Sequence, residues 1–135
     1  FNSDGHLDLV TANYNDKQFR ILLGSGDGLF VNATSYGTGA GPMSLAVADL
    51  NNDHHSDIVV ANFKENTLSV LLGYGNGSFT NQTVFSIGNG PASVAVADFN
   101  NDEILDLITA NYKDFHINAS ISLPNQDNLP GLEDL

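Results

Sequence analysis

Cysteine is absent from the 135 residues. That excludes disulfides, zinc–thiolate sites and cysteine nucleophiles, and it leaves the redox compartment open. Positive charge is scarce: Lys and Arg number 4 against 16 Asp and Glu, a formal net charge of −12. A field of that sign repels a phosphate backbone, so no nucleic acid partner is expected, and an anionic membrane surface is disfavoured for the same reason. No run approaches the roughly 18 apolar residues that cross a bilayer, so no membrane insertion is expected within this segment. No secretory leader is visible, and no stretch of useful length has the 3.6-residue periodicity of an amphipathic helix. What is present is a chain 41% hydrophobic, apolar enough to build a core, with a surplus of carboxylates whose natural partners are cations.

The dominant feature is a repeat. Shifted by 49 residues, the sequence lies on itself without a gap. Asn2-Ser3-Asp4 through Ala12-Asn13 matches Asn51-Asn52-Asp53 through Ala61-Asn62, and again Asn100-Asn101-Asp102 through Ala110-Asn111. Leu22-Leu23-Gly24 matches Leu71-Leu72-Gly73, and Gly41-Pro42 through Asp49 matches Gly90-Pro91 through Asp98. Within a repeat, short apolar stretches are bounded by turn residues: Met43–Ala48, expected to be a buried inner strand, then Asp57–Ala61, Leu68–Leu72 and an outer Phe79–Ile87. Asp27-Gly28 and Asn76-Gly77 predict type I′ hairpin turns before the fourth strand. Four antiparallel strands at this spacing predict an all-β fold, a partial β-propeller of about 2.5 four-stranded blades. The expected division is a partial blade over residues 1–42, a complete one over 43–91 and a third over 92–135. The third copy lacks the Leu-Leu-Gly element and is expected to degenerate after about residue 115, with a weak strand from Asn118 and an irregular acidic tail containing Pro124 and Pro130. Closure of a ring would need further repeats or self-association.

Each repeat opens on a loop that spaces oxygen donors at positions one, three, five and nine. In Asp49-Leu50-Asn51-Asn52-Asp53-His54-His55-Ser56-Asp57 these are Asp49, Asn51, Asp53 and Asp57, with the backbone carbonyl of His55 at position seven. The next copy offers Asp98, Asn100, Asp102, the carbonyl of Ile104, and Asp106; the first retains Asn2, Asp4, the carbonyl of His6, and Asp8. Ca²⁺ is a hard ion that takes six to eight oxygens, so this pattern predicts a calcium loop. Mg²⁺ fits less well because it gives up its water reluctantly. An Asx-rich surface turn without metal is the plainer alternative, set against the recurrence of the loop in register three times. An EF-hand would require Glu at position twelve and flanking helices; that position holds Thr11, Val60 or Thr109, between strand-like segments.

These loops, the Ser-x-Ala-Val-Ala-Asp strand before them, and the Tyr36-Gly37 … Gly41-Pro42 stretch resemble the FG-GAP (VCBS-type) repeat, the unit of the integrin α-chain amino-terminal propeller. The resemblance covers about residues 1–114. It implies a seven-bladed propeller with Ca²⁺ loops between the first and second strands of a blade, and an extracellular adhesion or recognition role for an unidentified protein or glycan ligand. Loop position six is usually Gly in that family; Gly5 conforms, but His54 and Glu103 do not, which implies strain if the position needs positive φ.

Other candidates carry less chemistry. Tyr14, Phe63 and Tyr112 recur in the loops between second and third strands; they could contact a ligand, although packing between blades is the preferred reading. His6, His54, His55 and His116 lack paired zinc spacing, and His54 and His55 are expected to face solvent. The Gly-rich segments Gly24–Gly28 and Gly73–Gly77 lack the Lys-Ser/Thr of a phosphate loop. No catalytic residue is assigned and no enzyme activity is expected. Asn32, Asn76, Asn81 and Asn118 stand in N-x-S/T sequons, consistent with a secreted glycoprotein. The alternatives are an accessory propeller of a secreted carbohydrate-active enzyme, or a degenerate fragment without a ligand.

Overall fold

The computed structural model describes residues 1–113 and 116–122. Asp114 and the expected tail with Pro124 and Pro130 lie outside the described residues. Among the described residues every regular element is a strand, and all pairing is antiparallel. The first sheet holds β1 (Leu9–Asn13), β2 (Gln18–Gly24) and β3 (Phe30–Gly37) in that order. The second holds β4 (Pro42–Ala48), β5 (Asp57–Asn62), β6 (Thr67–Leu71) and β7 (Thr83–Ser86), and the third holds β8 (Pro91–Ala97), β9 (Asp106–Asn111) and β10 (His116–Ser122), in the order β10-β9-β8. Among the described residues no helix is long and apolar enough to cross a membrane.

The middle sheet is covered on both faces, and β5 shows why. Its run Ile58-Val59-Val60-Ala61 does not alternate in polarity, and every residue from Asp57 to Asn62 is buried, as a strand buried on both faces requires. Ile58 and Val60 face the first sheet, joining Phe19, Ile21, Leu71 and Phe79. Val59 and Ala61 face the third, joining Leu68, Val70, Phe85, Val94 and Leu107. The first interface is strongly aromatic: Phe79 meets Phe1, Phe19 and Tyr36 edge-on at 5.7, 6.2 and 5.3 Å between ring centres, while Phe19 and Tyr36 stack at 5.2 Å. Each such side chain contributes about 1.5–3 kcal/mol by leaving water.

Three expectations are corrected. The Met43–Ala48 strand begins at the buried Pro42 and is only partly buried: Met43 and Val47 are exposed, because β4 is an edge strand with a neighbour on one side only. The fourth strand of the middle sheet is confined to Thr83–Ser86, with Phe79 held by a separate bridge to Gly73. The turns at Asp27-Gly28 and Asn76-Gly77 are not type I′, since positive φ falls on the glycines either side, Gly26 and Gly28, Gly75 and Gly77, and not on Asp27 or Asn76. These are longer loops closed by Ser25 N–H to Leu29 C=O and Tyr74 N–H to Ser78 C=O, with the Asp27 or Asn76 side chain accepting from the amide two residues on. In the third copy a strand forms where only a weak one was expected, pairing His116 with Asn111 and shifting register after Asn118.

The Gly-Pro step has a tertiary reason. Gly41 and Gly90 have φ of 71° and 66°, and a Cβ at either would stand 2.9 or 2.8 Å from the stem of Lys64 or Lys113. Their carbonyls accept from Phe63 and Tyr112, so each step clamps the loop that leaves the second strand of its sheet.

Candidate metal-binding loops

The three loops share one backbone path. Position four is left-handed in each (Ser3 58°, Asn52 58°, Asn101 62°), and so is position six (Gly5 81°, His54 66°, Glu103 68°). The strain expected at His54 and Glu103 is therefore present, since a side chain with a Cβ rarely adopts that conformation. Two left-handed residues separated by one turn the chain so that the side chains at positions one, three and five converge on the loop's own amides. Asp49 accepts from Asp53 N–H at 3.0 Å and His54 N–H at 2.8 Å; Asn51 accepts from Asp53 N–H at 3.2 Å; Asp53 accepts from His55 N–H at 2.8 Å and from the Asn51 amide at 3.0 Å. The third loop repeats the set through Asp98, Asn100 and Asp102, at 2.8–3.2 Å. In the first loop Asp4 accepts from His6 N–H and the Asn2 amide, both at 2.8 Å.

Position nine has a task that spacing alone does not reveal. Asp57 is fully buried. One oxygen accepts from Leu50 N–H at 2.7 Å, at the start of the loop, and the other from Gly73 N–H at 2.8 Å, beyond the third strand. Asp8 repeats this with the terminal ammonium of Phe1 at 2.5 Å and Gly24 N–H at 2.8 Å, and Asp106 with Phe99 N–H at 3.0 Å. The residue pins the loop to the sheet. A Cβ on Gly24 or Gly73 would lie 2.1 or 2.3 Å from the carbonyl oxygen of Leu7 or Ser56. The Leu-Leu-Gly signal thus marks where the chain passes against the end of the loop.

The electrostatics divide along the same line. Burial raises Asp57 above the ordinary carboxylate value, against the two amide bonds, and the nearby Asp53 and Asp49 add to the rise. Slight burial also works to raise Asp53, but the His55 amide and Asn51 outweigh it and hold the group low. Asp98 is held low in the same way by the amides of Glu103, Asp102, Asn101 and Asn100. Asp4 is lowered chiefly by the His6 amide, then by Asn2. Asp4, Asp53 and Asp98 therefore favour the ionised form that a hard cation requires.

The donors suit calcium in kind: carboxylate and amide oxygens, with a backbone carbonyl available. Asn2 Oδ1 is a buried acceptor without a protein donor, and an ionised carboxylate can accept about four bonds, more than Asp57 uses. Among the described residues no group of three or more His, Asp or Glu side chains is drawn together, so a site here would also draw on the Asn oxygens and the backbone carbonyl.

Position seven holds a further feature. The His6 ring lies against Gly26, where a Cβ would meet it at 2.5 Å, and the His55 ring lies against Gly75, at 2.3 Å. His54 faces solvent as expected; the His55 side chain is about 39% exposed and also lies against the neighbouring hairpin, with Nδ1 3.4 Å from Asp53. Between the first two loops is a cleft of about 310 Å³ bordered by Ser3, Asp4, His6, His54 and His55. The sequence signal for this packing is the glycine two residues after Leu-Leu-Gly.

Tyr14, Phe63 and Tyr112 each touch the equivalent loop of a neighbouring repeat. Lys64 Nζ stands 4.3 Å over the Tyr14 ring, Phe63 and Tyr112 are 6.3 Å apart, and Lys113 Nζ is 5.1 Å from Phe63. Tyr112 keeps most of its surface exposed. Of the sequons, Asn76 and Asn81 are exposed; the side chains of Asn32, Asn118 and His116 lie outside the described residues.

The model of the FG-GAP-like repeat matches residues 1–60 and again 55–109, spans that together contain all three loops. No curated protein and no solved structure gives a significant match.

Proposed function

Because the chain belongs to the FG-GAP-like repeat family, we propose that it is a β-propeller-type repeat module that binds calcium outside the cell and serves recognition of a protein or glycan, without catalysing a reaction. The observation that carries this reading is the threefold recurrence of one loop, left-handed at the same two positions and with the same oxygen donors at positions three, five and nine. Asp49, Asn51, Asp53 and Asp57 would hold one ion with the His55 carbonyl, and Asp98, Asn100, Asp102 and Asp106 another with the Ile104 carbonyl. Asn2, Asp4, Asp8 and the His6 carbonyl form a smaller set. When bound, calcium would supply a divalent charge that neutralises clustered carboxylates.

The residues do the rest of the work. Asp57 and Asp106 tie each loop to its sheet, so an ion that favours the folded loop stabilises the sheet behind it. Loops of this type outside cells bind at about 10⁻⁴–10⁻³ M. At ten to a hundred times the dissociation constant, each site would add about 1.4–2.7 kcal/mol.

The test is a thermal scan in EDTA and again with excess Ca²⁺. The melting temperature is expected to rise with calcium and to return with chelator. Identical melting curves would remove the calcium reading. Binding of the calcium-loaded chain to glycan arrays and cell surfaces tests the recognition role.

A further inference from the structure

The two interfaces inside this chain are the same interface used twice, and its two halves stand open at the two ends. Ile58, Val60, Leu71 and Phe79 form the face of the middle sheet that meets the first sheet, and they are 0–8% exposed. One repeat earlier the same positions are Leu9, Thr11, Leu22 and Phe30, on the outer face of the first sheet. There Leu9 is 45% and Phe30 41% exposed, with Leu29 and Val31 beside them also open. Phe30 even keeps the local contact of Phe79, lying against Gly24 as Phe79 lies against Gly73.

The opposite end mirrors this. Ala46, Leu50, Val59 and Ala61 of the middle sheet pack on the third sheet, and Phe1 and Val10 of the first sheet pack in the same way on the middle one. The corresponding positions of the third sheet are Ala95, Phe99, Ile108 and Ala110. Phe99 is 51% exposed, Ala95 and Ala110 are open, and Ile108 is partly covered. None of these eight end positions is charged, although the chain carries −12.

We propose that the outer face of the third sheet on one copy docks on the outer face of the first sheet on a second copy, head to tail. The occupant follows from continuity. Each open face is the repeat-equivalent of a surface that the chain already covers with its own complementary half, and one molecule carries both halves. Such a contact is heterologous: it leaves one open half at each end, and so builds rings or chains rather than a symmetric pair. The net charge opposes it through the loops, so added salt strengthens association. The inference rests on the stacked-sheet part of the proposed function and is independent of calcium.

Analytical ultracentrifugation of the 135-residue chain across a concentration series, in EDTA and high salt, is the test. The wild type is expected to show concentration-dependent species beyond the dimer. Phe30→Glu and Phe99→Glu, each at an exposed position, are each expected to sediment as monomers, while an equimolar mixture of the two forms a dimer and stops there, since only one competent pair of faces remains. A monomeric wild type at all concentrations would overturn the proposal, as would dimers of either variant alone or a mixture that stays monomeric. Far-UV circular dichroism of both variants, matched to wild type, shows that the sheets persist; calcium-dependent melting is read separately, so loss of one reading leaves the other standing.

Discussion

Replacing Asp57 by alanine separates the structural work of the loop from the metal binding proposed for it. In the folded chain the buried carboxylate takes two backbone amides, Leu50 N–H at 2.7 Å and Gly73 N–H at 2.8 Å. Hydrogen bonds to a charged group contribute about 1.5–3 kcal/mol each, and a truncated partner leaves buried donors without an acceptor. Burial of the carboxylate opposes this, as its raised pKa indicates, so the net loss is about 3 kcal/mol. For a domain of this size, roughly 3–5 °C of melting temperature corresponds to each kcal/mol, giving a fall of about 10 °C. The assay is thermal unfolding in EDTA, where no ion contributes. Asp53→Ala is the control: its bonds stay within the exposed loop, so its fall in EDTA should be much smaller, on the order of 1 kcal/mol, while the calcium-dependent gain of the second loop disappears. If Asp57→Ala melts within about 3 °C of wild type, the pin between loop and sheet does not carry the load assigned to it.

The remaining expectations concern strain, packing and protonation. His54→Gly and Glu103→Gly should each raise stability by about 0.5–1 kcal/mol in denaturant titrations, because glycine relieves the left-handed residue by more than its extra unfolded entropy costs; a loss at both would show that these side chains hold the loop by another contact. Gly75→Ala should cost about 1–3 kcal/mol, since the new methyl meets the His55 ring and φ is 71°; in a His55→Ala background part of that cost should vanish, and a double-mutant cycle with no coupling would contradict the contact. The pH dependence of melting without calcium should differ between wild type and Asp57→Asn. Asp57 is raised in the fold above the value of about 3.9 that an unfolded aspartate takes, so its contribution is full below that value and is lost as pH rises through the folded pKa. Wild type should therefore lose stability relative to Asp57→Asn as pH climbs above about 4. Asp53 and Asp98 act oppositely, their contribution being lost as pH falls through their lowered values, and that loss is common to both proteins. A melting-temperature difference that does not vary with pH would contradict the raised state of Asp57.

The repeat determined by itself the all-β class, the family and the positions of the loops, because duplicated residues must meet duplicated environments: Asn51, Asn100 and Asn2 could be aligned without coordinates, and Ile58-Val59-Val60-Ala61 could be read as a strand. Positive φ at His54 and Glu103 was legible too, from the Gly that occupies the same step at Gly5. What only tertiary structure decided is how neighbouring sheets share those residues. Asp57 looked like one more oxygen donor, and the fold makes it a buried link to Gly73, because hydrogen-bond partners sixteen residues away leave no local pattern. Met43 and Val47 looked like core, and the fold leaves them open because edge position is a property of the sheet and not of the strand. His55 looked like a wholly solvent-facing side chain, and the fold keeps it partly exposed while laying its ring on Gly75. Local spacing fixes which groups can converge; burial depends on what arrives from elsewhere in the chain, and a short-range pattern carries no record of that.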